Sequence, residues 1–369
     1  MQNTLRSLML LTLSASSIAS INIFEACSCS AGRIPVPVAV RIPVNPGSET
    51  LNTTNLRELH ATFGIFGTFC QPATRSNSPS RDHVQLLLHG STYTSQYWTW
   101  PINGFQNYSY AAHACAQGQS TFAYDALGVG LSERPLDSTD VQIPTSAAIA
   151  ASLARKLKTG EVTELLGMGP QQFSRLVAVG HSQGSVVFNF AAIELGRTAP
   201  FDALILTGHI HDEGFLASIK LPRPAARDVD PARWANLEPG YISNPNRSQF
   251  YSPDNSTFSA DMLQVDQLTK DVSTVWYVDQ TPAVYVPARE YKGPVVELVG
   301  DSDQIHCLNV GDGSAPCNVT ALQTSESEFW PHSRNFAMIV REGQGHDVNL
   351  DFGAAETFKI ITALVKNLT

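Results

Sequence analysis

The stretch that most constrains this chain is Arg175-Leu-Val-Ala-Val-Gly-His-Ser-Gln-Gly-Ser-Val-Val-Phe188. It opens on an apolar, β-rich run, Leu176 to Val179, that is too short for a buried helix. It passes through Gly180-His181-Ser182-Gln183-Gly184 and continues as an apolar stretch, Val186 to Leu195, of helix-like composition. Strand, glycine-flanked turn and helix in that order make a turn so tight that side chains at Gly180 and Gly184 would meet neighbouring backbone. Ser182 is left at the tip with its hydroxyl exposed. The pentapeptide alone recurs by chance; the strand before it and the helix after it make Ser182 a candidate nucleophile.

The chain has 369 residues, 43% hydrophobic and 15% charged, enough for a large core. Two domains fit that length, but α/β folds often run past 250 residues as one. A net charge of -9 disfavours nucleic acid and anionic membrane surfaces as partners. Arg6, the apolar run Leu8 to Leu13 and Ser17-Ile18-Ala19 match a signal peptide over residues 1–19, so a secreted protein is expected. That run is too short to span a bilayer, no later segment is apolar enough, and Leu364 to Thr369 lacks a lipid-anchor tail. No stable membrane anchor is expected.

Six cysteines suit three disulfides in an oxidising compartment. Cys307 with Cys317 is the best single pairing, because Gly311-Asp-Gly-Ser-Ala-Pro316 between them is turn-rich. Cys27, Cys29, Cys70 and Cys115 then pair among themselves. A thiol nucleophile or zinc site at Cys27-Ser-Cys29 is the alternative, with a spacing one short of C-x-x-C. Sequons at Asn52, Asn107, Asn246, Asn255, Asn318 and Asn367 agree with glycosylation on a secretory route.

Along the chain, Ile34 to Val44 alternates proline with β-branched residues, as an edge strand or extended arm does. Ala61 to Cys70 reads as a half-buried strand. Further strands are expected at His83 to Leu88, Thr121 to Asp125, Ala203 to Thr207, Pro294 to Gly300 and Phe336 to Val340. Helices are expected at Tyr108 to Ala116, Ser146 to Lys158 and Ala354 to Leu368. The alternation predicts an α/β fold with a mostly parallel central sheet flanked by helices. His209 to Tyr291 breaks it with many Pro, Asp, Asn and aromatic residues. Insertions of that length are usually functional, so the chain divides into core residues 20–208, an inserted lid or cap 209–291, and core residues 292–369. The lid would lie between the sixth and seventh core strands.

The elbow, the strand ending at His89-Gly90, and Asp125-Ala-Leu-Gly-Val-Gly-Leu-Ser132 stand in the order found in α/β-hydrolases, which this chain resembles from about Val84 to Leu364. His89-Gly-Ser-Thr-Tyr93 followed by Trp98 is similar to secreted, largely fungal-type members. The resemblance implies an acid after the strand that follows the lid, then a histidine before the last helix. G-x-x-D in Val299-Gly-Asp-Ser-Asp303 resembles the family's acid loop and selects Asp303, with Asp301, a possible turn cap, and Asp212 as alternatives. Glu342-Gly-Gln-Gly-His-Asp347 puts His346 at the base position. The oxyanion hole falls to the backbone N–H groups of Gln183 and Ser91. His89 and His181 read as structural.

Other readings were weighed on the same residues. Asp125 to Ser132 lacks the G-x-G-x-x-G fingerprint of a nucleotide loop. His209-Ile-His211-Asp212 could ligate a metal, but no further cluster accompanies it in sequence. The resemblance implies ester, thioester, lactone or amide hydrolysis without a cofactor, and serine at the elbow argues against dehalogenase and epoxide-hydrolase chemistry. The expected function is hydrolysis of a small carboxylic ester or lactone through an acyl-enzyme. Acyl transfer by the same residues, or a silent binding protein on this scaffold, are the alternatives. Aromatics in 209–291 suggest an apolar or aromatic substrate group, or else the lid's own small core.

Overall fold

The computed structural model describes residues 19–21, 26–44, 55–73, 82–211, 222–307 and 317–368. The expected signal peptide, save for Ala19, lies outside them, as do Asn52, Asp212, Phe215 and residues 308–316.

The described residues form eleven strands: β1 (Ala19–Ile21), β2 (Cys27–Pro43), β3 (Leu56–Pro72), β4 (His83–Leu88), β5 (Ser120–Tyr124), β6 (Arg175–His181), β7 (Ala203–Thr207), β8 (Tyr241–Ile242), β9 (Ser273–Thr274), β10 (Val295–Gly300) and β11 (Phe336–Arg341). Nine make one sheet in the order β1-β2-β3-β5-β4-β6-β7-β10-β11; β8 and β9 pair separately. β1, β2 and β3 are antiparallel to their neighbours, and every pairing from β5 to β11 is parallel. The α/β expectation holds.

The extended arm is longer than its sequence suggested. β2 and β3 pair over 17 residues, from Cys27 opposite Pro72 to Pro43 opposite Leu56. Ile34, Val36 and Val38 point inward against Phe63 and Ile65. Pro35, Pro37 and Pro43 fall in the opposite phase or at the end, so the missing N–H groups face one side. Proline is tolerated there because β1 covers only Cys29 to Ala31 and leaves the rest of β2 as an edge.

Along the parallel strands successive residues serve two cores. Leu86 and Leu88 join a cluster with Leu153, Leu157 and Phe188, from the helices Ile143–Thr159 and Gln183–Leu195. Leu87, Val177 and Ile205 join another with Tyr110, Phe358 and Ile361, from the helices Tyr110–Ala116 and Ala354–Leu368. In the last helix Ala354, Thr357, Phe358, Ile361, Thr362 and Val365 form the buried stripe of a 3.6-residue period. With both faces covered, the strands read as short apolar runs.

Disulfides join Cys27 to Cys115, Cys29 to Cys70 and Cys307 to Cys317. The pairing expected at Cys307 is present. The zinc alternative at Cys27 and Cys29 is overturned, because both sulfurs are in disulfides. Among the described residues no helix is long and apolar enough to cross a membrane.

Candidate active site

β6 ends at His181 and the next helix begins at Gln183, so the turn consists of Ser182 alone. Its backbone sits at φ 51°, ψ −118°, a conformation that costs about 1–3 kcal/mol and persists only where surroundings impose it. They do so here: the Ser182 N–H donates to Thr207 O at 2.8 Å. A Cβ on Gly180 would fall 2.5 Å from Ser185 N, and one on Gly184 would fall 2.4 Å from Leu88 O. Both glycines are therefore obligatory, as the sequence implied.

Asp303 lies just past β10 and His346 just past β11, both buried. His346 Nδ1 donates to Asp303 Oδ2 at 2.8 Å. Asp303 Oδ1 accepts from the N–H groups of Ile305 (2.7 Å) and His306 (3.1 Å), so the carboxylate is held at both oxygens. Burial is the largest influence on Asp303 and pushes its carboxyl up, but the His346 charge and hydrogen bond outweigh it and leave the group below its ordinary range. For His346 burial pulls down, and Asp303 reverses this to hold the imidazole above its ordinary value. The His346 ring is 5.0 Å from that of His181, the residue before Ser182, so the Asp303–His346 pair lies beside the elbow. Asp301 instead closes a turn, its Oδ1 accepting from Ser302 Oγ and the Gly343 N–H.

Gln183 is the first residue of its helix, where N–H groups have no carbonyl of their own helix to bond. Ser91 follows Gly90, whose added Cβ would stand 3.0 Å from Ser182 Cβ, so this loop abuts the serine. The Gly90 carbonyl accepts from His89 Nδ1 at 2.8 Å and from the Tyr93 N–H at 3.3 Å. A trans peptide points its N–H opposite to its carbonyl, so these bonds also orient the Ser91 N–H. The other nitrogen of His89 accepts from the Ala126 N–H at 3.0 Å, and burial lowers its pKa to about 4. It stays neutral and structural.

A model of the alpha/beta hydrolase family matches residues 85–359. The chain belongs to that family. Among solved structures it is similar to a monoacylglycerol lipase from Paleococcus ferrophilus, with 17% identity over 83% of this chain and 99% of that one and a TM-score of 0.51. An esterase from Exiguobacterium antarcticum gives 16%, 83%, 96% and 0.51. A soluble variant of monoglyceride lipase from Saccharomyces cerevisiae gives 13%, 97%, 97% and 0.50. At such identities the likeness is one of fold. No curated protein matches the chain.

Around the site this α/β-hydrolase buries a polar network that its sequence did not announce. His181 stacks on Tyr97 at 4.3 Å, with Nδ1 at 3.1 Å from Thr207 Oγ1 and Nε2 at 3.2 Å from Asp347 Oδ1. Tyr93 donates to Asp347 and also lies 3.2 Å from Asp266 Oδ2, which receives Arg247 Nε at 3.1 Å. Burial raises Asp266 and Asp347 to about 7 each. Only the place of Asp347 beside His346 hinted at its role; nothing distinguished Arg247 or Asp266 in a stretch rich in charged residues.

Two groups of described residues have ligand-like spacing. Asp303, His306 and His346 belong to the site above. In the other, His211 Nδ1 donates to Glu326 Oε2 at 2.6 Å and lies 3.8 Å from Glu297 Oε1, which accepts from Trp330 Nε1 at 2.9 Å. Burial, then the neighbouring Glu326, push Glu297 well above the carboxylate range. His209 and His211 both approach Asn189 Nδ2. The polar atoms of this cluster thus bond one another. Asp125 is also structural, accepting from the N–H groups of Ser95 and Leu131.

Residues 222–291 carry more secondary structure than their sequence rhythm suggested. They include the β8–β9 pair and the helix Ala260–Thr269. Trp234 and Tyr241 make a small core of their own, whereas Phe250, Tyr251 and Phe258 pack into the main core. Tyr241, Val272 and Tyr277 meet Leu127, Val129 and Val141 around a cavity that reaches Gly90 and Ser91.

Proposed function

We propose that this α/β-hydrolase is a secreted serine hydrolase that cleaves a carboxylic ester or lactone through an acyl-enzyme. The observation that carries the reading is the buried 2.8 Å Asp303–His346 bond beside an elbow that holds a serine in a strained conformation. A serine hydroxyl becomes a nucleophile when a base takes its proton and a third group orients that base.

Ser182 Oγ attacks the carbonyl carbon while His346 Nε2 takes its proton. Asp303 holds Nδ1 and stabilises the imidazolium. Charge on the former carbonyl oxygen is met by the Gln183 and Ser91 N–H groups, each worth about 3–4 kcal/mol in arrangements of this kind. His346 returns the proton to the departing alcohol oxygen. Water then attacks the acyl carbon by the same route and frees Ser182. The aliphatic and aromatic side chains that line the small gap beside Gly90 and Ser91 favour an apolar substrate group on that side of the site. Residues 209–291 act as the cap that closes it, and residues 1–19 as the export signal. The disulfides and exposed sequons at Asn107, Asn246, Asn255, Asn318 and Asn367 support a secretory route.

The test is a fluorophosphonate probe on the folded protein, with the adduct located by peptide mass spectrometry. Label on Ser182 that is lost in His346→Ala is expected. A folded protein that takes no label, or a Ser182→Ala variant that turns over esters like wild type, would sink the reading.

A further inference from the structure

We propose that Arg247, carried by the 209–291 segment, is a positioning residue for the oxyanion loop, acting through Thr92 and Tyr93. This rests on the serine-hydrolase reading above. Thr92 has φ +62°, an outlier for a β-branched residue, one position after the proposed donor Ser91. Its hydroxyl donates to Ser91 O at 2.6 Å and accepts from Arg247 Nη1 at 2.7 Å. On the next residue, the Arg247 guanidinium lies 3.6 Å from the centre of the Tyr93 ring. One fully buried side chain thus grips two successive residues of the turn.

Arg247 is itself fixed. Its Nε donates to Asp266 Oδ2 at 3.1 Å, and its backbone N–H donates to Gln267 Oε1 at 2.9 Å. Tyr93 carries the connection to Asp347, the residue after His346. Arg247 therefore links the segment over the site to the loop that must meet transition-state charge. Without it, a left-handed Thr92 loses the donor to its hydroxyl, and the Gly90–Ser91 peptide gains freedom to turn. A donor that meets charge only in the transition state affects kcat and leaves KM nearly unchanged.

The experiment compares steady-state hydrolysis of a p-nitrophenyl ester by the full secreted chain and by Arg247→Met, Arg247→Lys, Thr92→Val and Thr92→Ser. Each is also titrated with a fluorophosphonate, to count competent sites, and with a boronate that mimics the tetrahedral intermediate. Arg247→Met and Thr92→Val should each lower kcat roughly 10- to 100-fold, part of the 10²–10³ that a whole oxyanion donor supplies. KM should stay within about two-fold, and boronate affinity should fall in step with kcat. Thr92→Ser, which keeps the hydroxyl, should recover most of the loss. Arg247→Lys should not, because an ammonium cannot reproduce the planar fork.

Folded variants with wild-type kcat and boronate affinity would overturn the proposal, as would a loss explained wholly by fewer titratable sites. If Arg247→Met does not fold, Thr92→Val decides alone. A wild-type protein that takes no fluorophosphonate removes the parent reading too, whereas a labelled wild type with unaffected variants removes only the role of Arg247.

Discussion

At Asp303 and His346 two opposing influences act on each group, and their balance defines what can be measured. In the proposed mechanism His346 must be neutral to accept the Ser182 proton, and Asp303 holds its imidazole above the ordinary value of about 6.5. Activity should therefore rise with pH and reach half its maximum above about pH 6.5. A kcat/KM profile with its midpoint below that value would contradict the pairing. Asp303→Asn keeps the shape but presents the wrong hydrogen-bonding partner to Nδ1, and a loss of roughly 10⁴ in kcat is expected by analogy with other triads. A loss under ten-fold would shift the orienting role to Asp347 or Asp301.

Among the described residues, β1 pairs with β2 of the long β2–β3 hairpin over Cys29 to Ala31, and covalent bonds hold the first residues of β2. Cys27–Cys115 ties β2 to the helix Tyr110–Ala116 across 88 residues, and Cys29–Cys70 ties it to β3. Replacing Cys27 and Cys115 together by serine should cost about 2–5 kcal/mol, read from chemical denaturation. Catalysis per folded molecule should hardly change, since the bond is remote from Ser182 along the sheet order. An unchanged denaturation midpoint would show that hairpin packing alone secures the arm. The hairpin was half legible in sequence. The alternation of Phe63, Ile65 and Phe69 marked a strand, but the full pairing length depends on partners 13 to 45 residues away.

For the molecule as a whole, many ionisable groups are buried, and their titration makes stability depend on pH. Asp266 and Asp347 titrate near 7 and Asp351 near 8, all raised chiefly by burial from about 3.9 when unfolded. The folded state binds more protons than the unfolded one in that range, so their contribution is lost as pH rises through the folded values. The raised His346 acts in the same direction. Buried His89, His181 and His209 are shifted down and oppose this only below about pH 6.5, where unfolded histidine protonates. Tm should accordingly fall between about pH 6.5 and 8 in scanning calorimetry. A Tm that holds or climbs over that interval would mean the carboxyls are hydrated.

The local order of the chain carried most of the architecture. Short apolar runs, glycine-flanked turns and an amphipathic last helix are determined by neighbours in sequence, so the α/β alternation, the elbow and the placement of Asp303 and His346 after strand ends could be read directly. Cys307–Cys317 was legible for the same reason, its partners being ten residues apart. What only the tertiary structure decided are contacts between distant segments. Arg247 reaches Thr92 across 155 residues and Tyr93 reaches Asp347 across 254, and the first depends on how the 209–291 segment packs into the core. No periodicity encodes such a meeting, because each side chain looks locally like any solvated polar residue. Burial turns them into partners, by making an unpaired charge too costly to keep.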